Sequence, residues 1–405
     1  MKVTLDLYAT VAVALLFFYV GAFIKKHVNV LNKFCIPTPV VGGICFSILN
    51  LILHQTGILD LSMDSVFQNL CMVAFFTSIG YTASLRVIAK AGKQVVILTA
   101  ITAVLICMQN VIGGYLGQFF GLGKLLGLTL GSVSMVGGHG NAGSFGPQLE
   151  EMGVVGAATV GMAAATFGLV FGNLTGGPVA DFLIRRNKLK TSGAGLSKDE
   201  VVLEGEGSND KIQVTEKGFI AHTTLVIFQI FVCMALGVVI NAAVKNITGI
   251  TIPVFLCSML VAVVIRNVSE YTNLYPVYDQ EANILGSVSL NIFLALALMS
   301  VKLWQLIDLA VPMIVILLAQ TGVTMLFVSL VTFPLMGKNY EAAVMAAAQM
   351  GYGLGATPNA MANIAAVEEK YGAAPEARVV IPFVGGLFTS IINAALITVF
   401  INIFS

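Results

Sequence analysis

Met135-Val136-Gly137-Gly138-His139-Gly140-Asn141-Ala142-Gly143 and Met350-Gly351-Tyr352-Gly353-Leu354-Gly355-Ala356-Thr357-Pro358-Asn359 are two glycine-rich strings set in apolar sequence. Laying Met135 on Met350 also lays Gly138 on Gly353 and Gly140 on Gly355, each at an offset of 215 residues. Glycine weakens a helix interior, and within lipid a broken helix persists only where its backbone is buried or lines a cavity. Paired breaks at matching points of two halves mark a membrane carrier's substrate site.

The surrounding composition supports that setting. Of 405 residues, 57% are hydrophobic and only 10% charged, and the mean hydropathy is +0.92. Soluble domains carry roughly 25% charged residues. Many apolar runs approach the ~20 residues that cross a bilayer as a helix, and the short alternating segments of a membrane barrel are absent. A net charge of +1, with no basic patch interleaved with aromatics, excludes nucleic acid as a partner. The six cysteines, Cys35, Cys45, Cys71, Cys107, Cys233 and Cys257, stand singly, so neither a disulfide framework nor a zinc site is indicated. Residues 11–24 are apolar and followed by Lys25-Lys26-His27. A signal peptide has its charge before the apolar core, so this segment reads as a first membrane helix.

Apolar segments fall at about 7–24, 36–54, 67–85, 95–120, 125–151, 154–184, 219–241, 252–266, 284–302, 308–336, 340–367 and 379–403, with 125–151 and 340–367 interrupted by the glycines. If both interrupted segments dip in and return on one side, each half has five true spans, and an odd number inverts the second half. The chain then reads as an all-α polytopic membrane protein of two inverted-topology repeats of five transmembrane helices. Each repeat carries a re-entrant hairpin between its fourth and fifth spans. Residues 1–184 form the first repeat, 185–218 a charged, glycine-rich cytoplasmic linker, and 219–405 the second repeat. With both termini outside, only Lys2, Lys124, Lys245 and Lys302 of the 21 lysines and arginines face outward, as the positive-inside rule expects. Further pairs at similar offsets support the repeat: Ile36-Pro37 with Ile252-Pro253, Gln109 with Gln320, Glu150-Glu151 with Glu368-Glu369, and Asn173 with Asn393.

Ionisable groups at membrane depth are scarce. Asp181 and Glu341 fall near cytoplasmic ends, where Arg185 and Lys338 can pair with them, while Arg378 could reach inward. His139 alone lies deep, and without a second ligand or a carboxylate partner it makes neither a metal site nor a hydrolase. It suits a substrate hydrogen bond or a brace within the hairpin, or a proton-coupling role. Broken helices can bind without fixed charge: free N–H ends suit a carboxylate, and free carbonyl ends suit Na⁺ or an ammonium group. The substrate group is therefore read as Gly138, His139, Gly140, Asn141, Ser144, Gly355, Thr357, Asn359 and Asn393. Na⁺ is placed near Ser134, Gly137, Thr166, Asn173, Gln320 and Gly353. Gln109, Asn110 and Asn291 are either ion ligands or interhelical hydrogen-bonders. Gly168, Gly172, Gly176 and Gly177 signal either another break or close packing.

Ser134-Met135-Val136-Gly137-Gly138-His139-Gly140-Asn141-Ala142-Gly143, Ala165-Thr166-Phe167-Gly168-Leu169-Val170-Phe171-Gly172 and Gly176-Gly177-Pro178-Val179-Ala180 together resemble the bacterial glutamate:sodium symporter family. So do Met336-Gly337-Lys338-Asn339-Tyr340-Glu341 and Gly351 to Asn359, and the resemblance runs from about Ile36 to Asn393. It implies Na⁺-coupled uptake of L-glutamate in the bacterial inner membrane by a homodimer. It also implies alternating access, with a transport domain carrying both hairpins past a dimeric scaffold. Na⁺ is then the coupling ion, with no other cofactor. Asn141 stands where the family pattern has threonine, which bears on ligand contacts. A carrier for another organic anion (aspartate, or a di- or tricarboxylate) and an ion channel are the alternative readings.

Overall fold

In the computed structural model the described residues are 2–29, 31, 36–57, 59–84, 86, 92–191, 216–248, 252–306 and 309–405. Lys33, Cys35, Lys90 and linker residues 192–215 lie outside them. The helices are α1 (Leu7–His27), α2 (Thr38–Gln55), α3 (Val66–Tyr81), α4 (Gly92–Phe119), α5 (Lys124–Thr129), α6 (Ser132–Met135), α7 (Gly138–Glu151) and α8 (Ala157–Arg186). Then follow α9 (Glu216–Thr248), α10 (Val254–Thr272), α11 (Asp279–Met299), α12 (Ala310–Leu335), α13 (Tyr340–Leu354), α14 (Thr357–Tyr371) and α15 (Pro375–Phe404). Strands β1 (Lys2–Leu5) and β2 (Asp60–Met63) form one short parallel pair. Among the described residues nine helices are long and apolar enough to cross a membrane: α1, α2, α4, α8, α10, α11, α12, α15 and most of α9. The segment expected at 67–85 is the shorter apolar helix α3.

Local chemistry sets many of these boundaries. Asp6 accepts from the N–H of Ala9 at 2.8 Å and opens α1, which closes on Lys25, Lys26 and His27, so acid and base complement the helix dipole. Asn339 caps α13 through the N–H of Ala342 at 2.8 Å. Proline stands at the N-caps of α2 and α10, where its missing N–H costs nothing. Helix α12 is one helix with a π-helical turn at Val328–Thr332, and α15 has another at Pro382–Phe388.

The helices pack as two sets, each drawing on both sides of the linker. The first set is α1, α2, α3, α9, α10 and α11, and the second is α4 to α8 with α12 to α15. Their mutual contact runs chiefly through α11 against α7 and α10 against α15. The largest hydrophobic cluster lies mainly in the second set, around Leu105, Val133, Ala164, Ala347 and Ile381. Helix α8 is unbroken, which decides between the two readings of its glycines. A Cβ on Gly168 would strike the carbonyl oxygen of Leu354, and one on Gly172 would lie 3.2 Å from that of Gly351. These glycines let α8 lie directly against α13.

Candidate functional site

Both glycine strings interrupt helices in the second set. The first break is at Val136 and Gly137, where Gly137 has φ of 87° and Gly138 of 53°. Both are left-handed conformations natural only to glycine. The second is at Gly355 and Ala356, between α13 and α14. The two breaks meet: a Cβ on Gly138 would stand 3.1 Å from the carbonyl oxygen of Gly355. Helices α7 and α14 therefore begin beside each other, with Gly138 and Gly355 buried, Ala356 and Thr357 half-buried and Pro358 exposed, and neither N-cap residue makes a side-chain hydrogen bond. Two helix N-termini without side-chain caps converge at one place, where the positive ends of both helix dipoles favour an anion.

The carbonyl ends are treated differently. Val136 O accepts from Asn141 Nδ2 at 3.0 Å and from Asn393 Nδ2, which also donates to Ser132 O at 3.0 Å. Gly353 O accepts from Gln109 Nε2 at 2.9 Å. Asn359 donates to Leu169 O at 2.7 Å, and Asn363 to Gly172 O and Ala347 O at 2.9 and 3.0 Å. Amide side chains thus close Val136 O and Gly353 O at the breaks. On α14 Pro358 has no N–H and the Asn359 N–H donates to Ala356 O at 3.0 Å, so the open donors of the junction lie mainly on α7, where they favour an anion.

The residues read as the substrate group are brought together at this junction. Gly138, His139, Gly140, Asn141 and Ser144 lie on the first turns of α7, and Gly355, Thr357 and Asn359 lie at the second break. His139 is buried, with Nε2 2.9 Å from Thr166 Oγ1, and that hydroxyl donates to Met162 O at 3.0 Å. Ser144 Oγ turns back to Gly140 O at 2.6 Å, and Thr357 Oγ1 donates to Gly385 O in the α15 π-turn at 3.0 Å. Of the residues read as sodium neighbours, Ser134 donates to Gly161 O at 2.9 Å, while Gln320 Nε2 donates to Gln109 O at 2.8 Å. Asn173 is half-buried beside Gly172, two turns along α8 from Thr166.

Some side chains take places the sequence left unassigned. Asn363 repeats Asn359 one turn later on the face of α14 that meets α8, a polar i, i+4 stripe visible in retrospect. Phe75 lies 3.7 Å from where a Cβ on Gly140 would be, and Thr324 meets Gln109 Nε2 at 3.2 Å. Arg378 does not reach into the site. Its Nε lies 2.8 Å from both carboxylate oxygens of Glu368, because the geometry of α15 brings it to the end of α14. Asp181 pairs with Arg185 at 3.0 Å and Lys370 at 2.5 Å, whereas Glu341 turns to the backbone N–H groups of Ala377 and Glu376 at 2.9 and 3.4 Å instead of to Lys338.

Two cavities lie between the helix sets on either side of the junction. The larger, about 790 Å³, is lined by Asn50, His54, Gln68, Glu150, Lys302 and Trp304 among others. It reaches Gly143 and Met162, each one helical turn from His139 or Thr166. The smaller, about 280 Å³, is lined by Phe75, Ser78, Thr82, Asn283 and Gly286 and reaches Gly386. A Cβ on Gly386 would be 3.8 Å from Thr357 Oγ1.

A multi-pass helical protein with two facing helix breaks, approached by cavities between two helix sets, has the make-up of a membrane carrier. The family model described as sodium/glutamate symporter matches residues 3–373, and the chain belongs to that family. It is 37% identical over 400 residues to the sodium/glutamate symporter of Haemophilus influenzae, covering 98% of each chain. It is 36% identical over 398 residues to those of Escherichia coli and Shigella flexneri, again covering 98% of each. This is a transporter family and not an enzyme family.

Proposed function

We propose that the protein takes up L-glutamate coupled to Na⁺, binding it where α7 and α14 begin. The observation that carries this reading is the meeting of two uncapped helix N-termini at Gly138 and Gly355. Glutamate has two carboxylates, and the junction offers the N–H groups that open α7 together with the positive ends of two helix dipoles. His139, Asn141, Thr357 and Asn359 supply neutral polar groups around them, with Gly140, Ser144 and Asn393 in support. Na⁺ sits among Ser134, Gly137, Thr166, Asn173, Gln320 and Gly353. The cavities between the two helix sets support alternating access, in which the second set carries the substrate past the first. Both broken segments are re-entrant hairpins in this reading, and the two halves are inverted repeats flanking a cytoplasmic linker. The first set then forms the scaffold of a homodimer, with both termini outside.

Uptake of labelled glutamate into proteoliposomes under an imposed Na⁺ gradient tests the coupling, and uptake indifferent to Na⁺ rejects it. Unlabelled aspartate, glutarate and citrate as competitors separate a glutamate carrier from one for other organic anions. Glutarate competing as well as glutamate would show that the ammonium group is not recognised. A conductance without saturable, Na⁺-dependent uptake would instead make the protein a channel. A cysteine at Ser197 should label only from the cytoplasmic side, and labelling from outside would overturn the orientation.

A further inference from the structure

Four buried amides around the breaks share a property that the substrate reading leaves unused. Gln109 and Asn393 cap the broken helices, Gln320 reaches the backbone of Gln109, and Asn359 reaches that of Leu169. Each spends its NH₂ group on a carbonyl, and each is fully buried at 0% exposure. Each also leaves its own side-chain oxygen, Gln109 Oε1, Gln320 Oε1, Asn359 Oδ1 or Asn393 Oδ1, without a hydrogen-bond partner among the described residues. A buried acceptor without a partner is costly wherever water cannot reach it. Such a group in a native protein is met by a bound water or a bound ion.

Gln109 and Gln320 both reach across between α4 and α12. Gln320 on α12 reaches across to Gln109 O on α4 at 2.8 Å. Gln109 reaches back toward α12, its Nε2 3.2 Å from Thr324 Oγ1, one turn beyond Gln320. The two side chains thus cross between the same two helices in opposite directions. Gly353 O, 2.9 Å from Gln109 Nε2, closes a third side at the last turn of α13. That is the carbonyl end of α13, where the helix dipole is negative and favours a cation. The oxygens here are all neutral: two amides, a hydroxyl and a peptide carbonyl. Divalent cations are generally held by carboxylates, so this set suits a small monovalent cation.

We infer that Gln109 Oε1, Gln320 Oε1, Thr324 Oγ1 and Gly353 O form a Na⁺ site. The inference rests on the Na⁺-coupled reading above and extends it with Gln109 and Thr324. It also supplies a route for coupling. A cation held at Gly353 fixes the end of α13, two residues before the Gly355 carbonyl that faces Gly138, and so fixes the start of α14. Substrate then meets two aligned N-termini only when the cation is in place.

The test uses the full chain, both in detergent and in proteoliposomes. In Gln109→Met and Gln320→Met the Na⁺ concentration for half-maximal glutamate uptake should rise at least tenfold. Glutamate KM at saturating Na⁺ should stay within threefold of wild type, and the rise in Tm on replacing choline chloride with NaCl should be lost. Wild-type Na⁺ dependence in both Met variants would overturn the site. Should the Met variants fail to insert, Gln109→Glu and Gln320→Glu keep an oxygen and add charge. Half-saturating Na⁺ should then fall at least threefold, and an unchanged or higher value would overturn the site. Na⁺-driven uptake by the wild type alongside normal variants rejects this site alone, whereas Na⁺-independent uptake by the wild type rejects the functional reading itself.

Discussion

Substituting Gly138 by alanine presses on the point where the two breaks touch. Its φ of 53° is left-handed, where a Cβ costs about 1–2 kcal/mol. The new methyl would also stand 3.1 Å from Gly355 O, tighter than ordinary van der Waals contact, so the tips must part by a few tenths of an ångström. Overpacking of this kind costs about 1–3 kcal/mol. Together the two effects amount to roughly 2–5 kcal/mol against the arrangement that binds substrate. Each 1.4 kcal/mol is about tenfold in an equilibrium constant. Allowing for relaxation of the loop, Gly138→Ala should lower Vmax/KM for Na⁺-driven glutamate uptake at least tenfold while inserting normally. Two residues away, Gly140→Ala is the control. A Cβ there finds only Phe75 at 3.7 Å, an ordinary contact, and its φ is not left-handed. It should retain more than half of wild-type uptake. The reasoning fails if Gly138→Ala transports within twofold of wild type, or if Gly140→Ala is impaired as severely.

Two further outcomes follow from the surroundings of the site. Arg378→Met leaves Glu368, whose side chain is only 7% exposed, without its cation. Breaking buried pairs costs roughly 3–5 kcal/mol, and the partial exposure of Arg378 places this pair at the lower end. The Tm in detergent should fall clearly and recover in part in the Arg378→Met/Glu368→Gln double variant. An unchanged single variant, or a double variant no better than the single, would contradict a pairing role. The chain's one tryptophan, Trp304, stacks on His54 at 4.0 Å and lines the larger cavity. If the second helix set moves across that cavity, Na⁺ plus glutamate should shift Trp304 emission, and choline plus glutamate should not. Identical spectra under both conditions would count against that movement.

The membrane class was legible in composition, because crossing a bilayer demands long apolar helices whatever they pack against. The two breaks were legible as well, because glycine's backbone freedom acts locally: Gly137 and Gly138 adopt conformations that few other residues tolerate. The family could be read from the same strings. Other features were not legible. Whether Gly168 and its neighbours broke α8 or packed it depended on Leu354, far along the chain, approaching from α13. Arg378 needed the position of Glu368 before its role was clear.

Most of all, the sequence determined by itself that two helices break among neutral polar residues. It left open which ends of those helices a ligand would find. Tertiary structure decided this by bringing Gln109 and Asn393 from distant segments onto Gly353 O and Val136 O, while among the described residues the N-caps of α7 and α14 make no side-chain hydrogen bond. The physical reason is that a helix break exposes donors and acceptors equally. Only long-range contacts, which local sequence does not encode, choose which of them stay open.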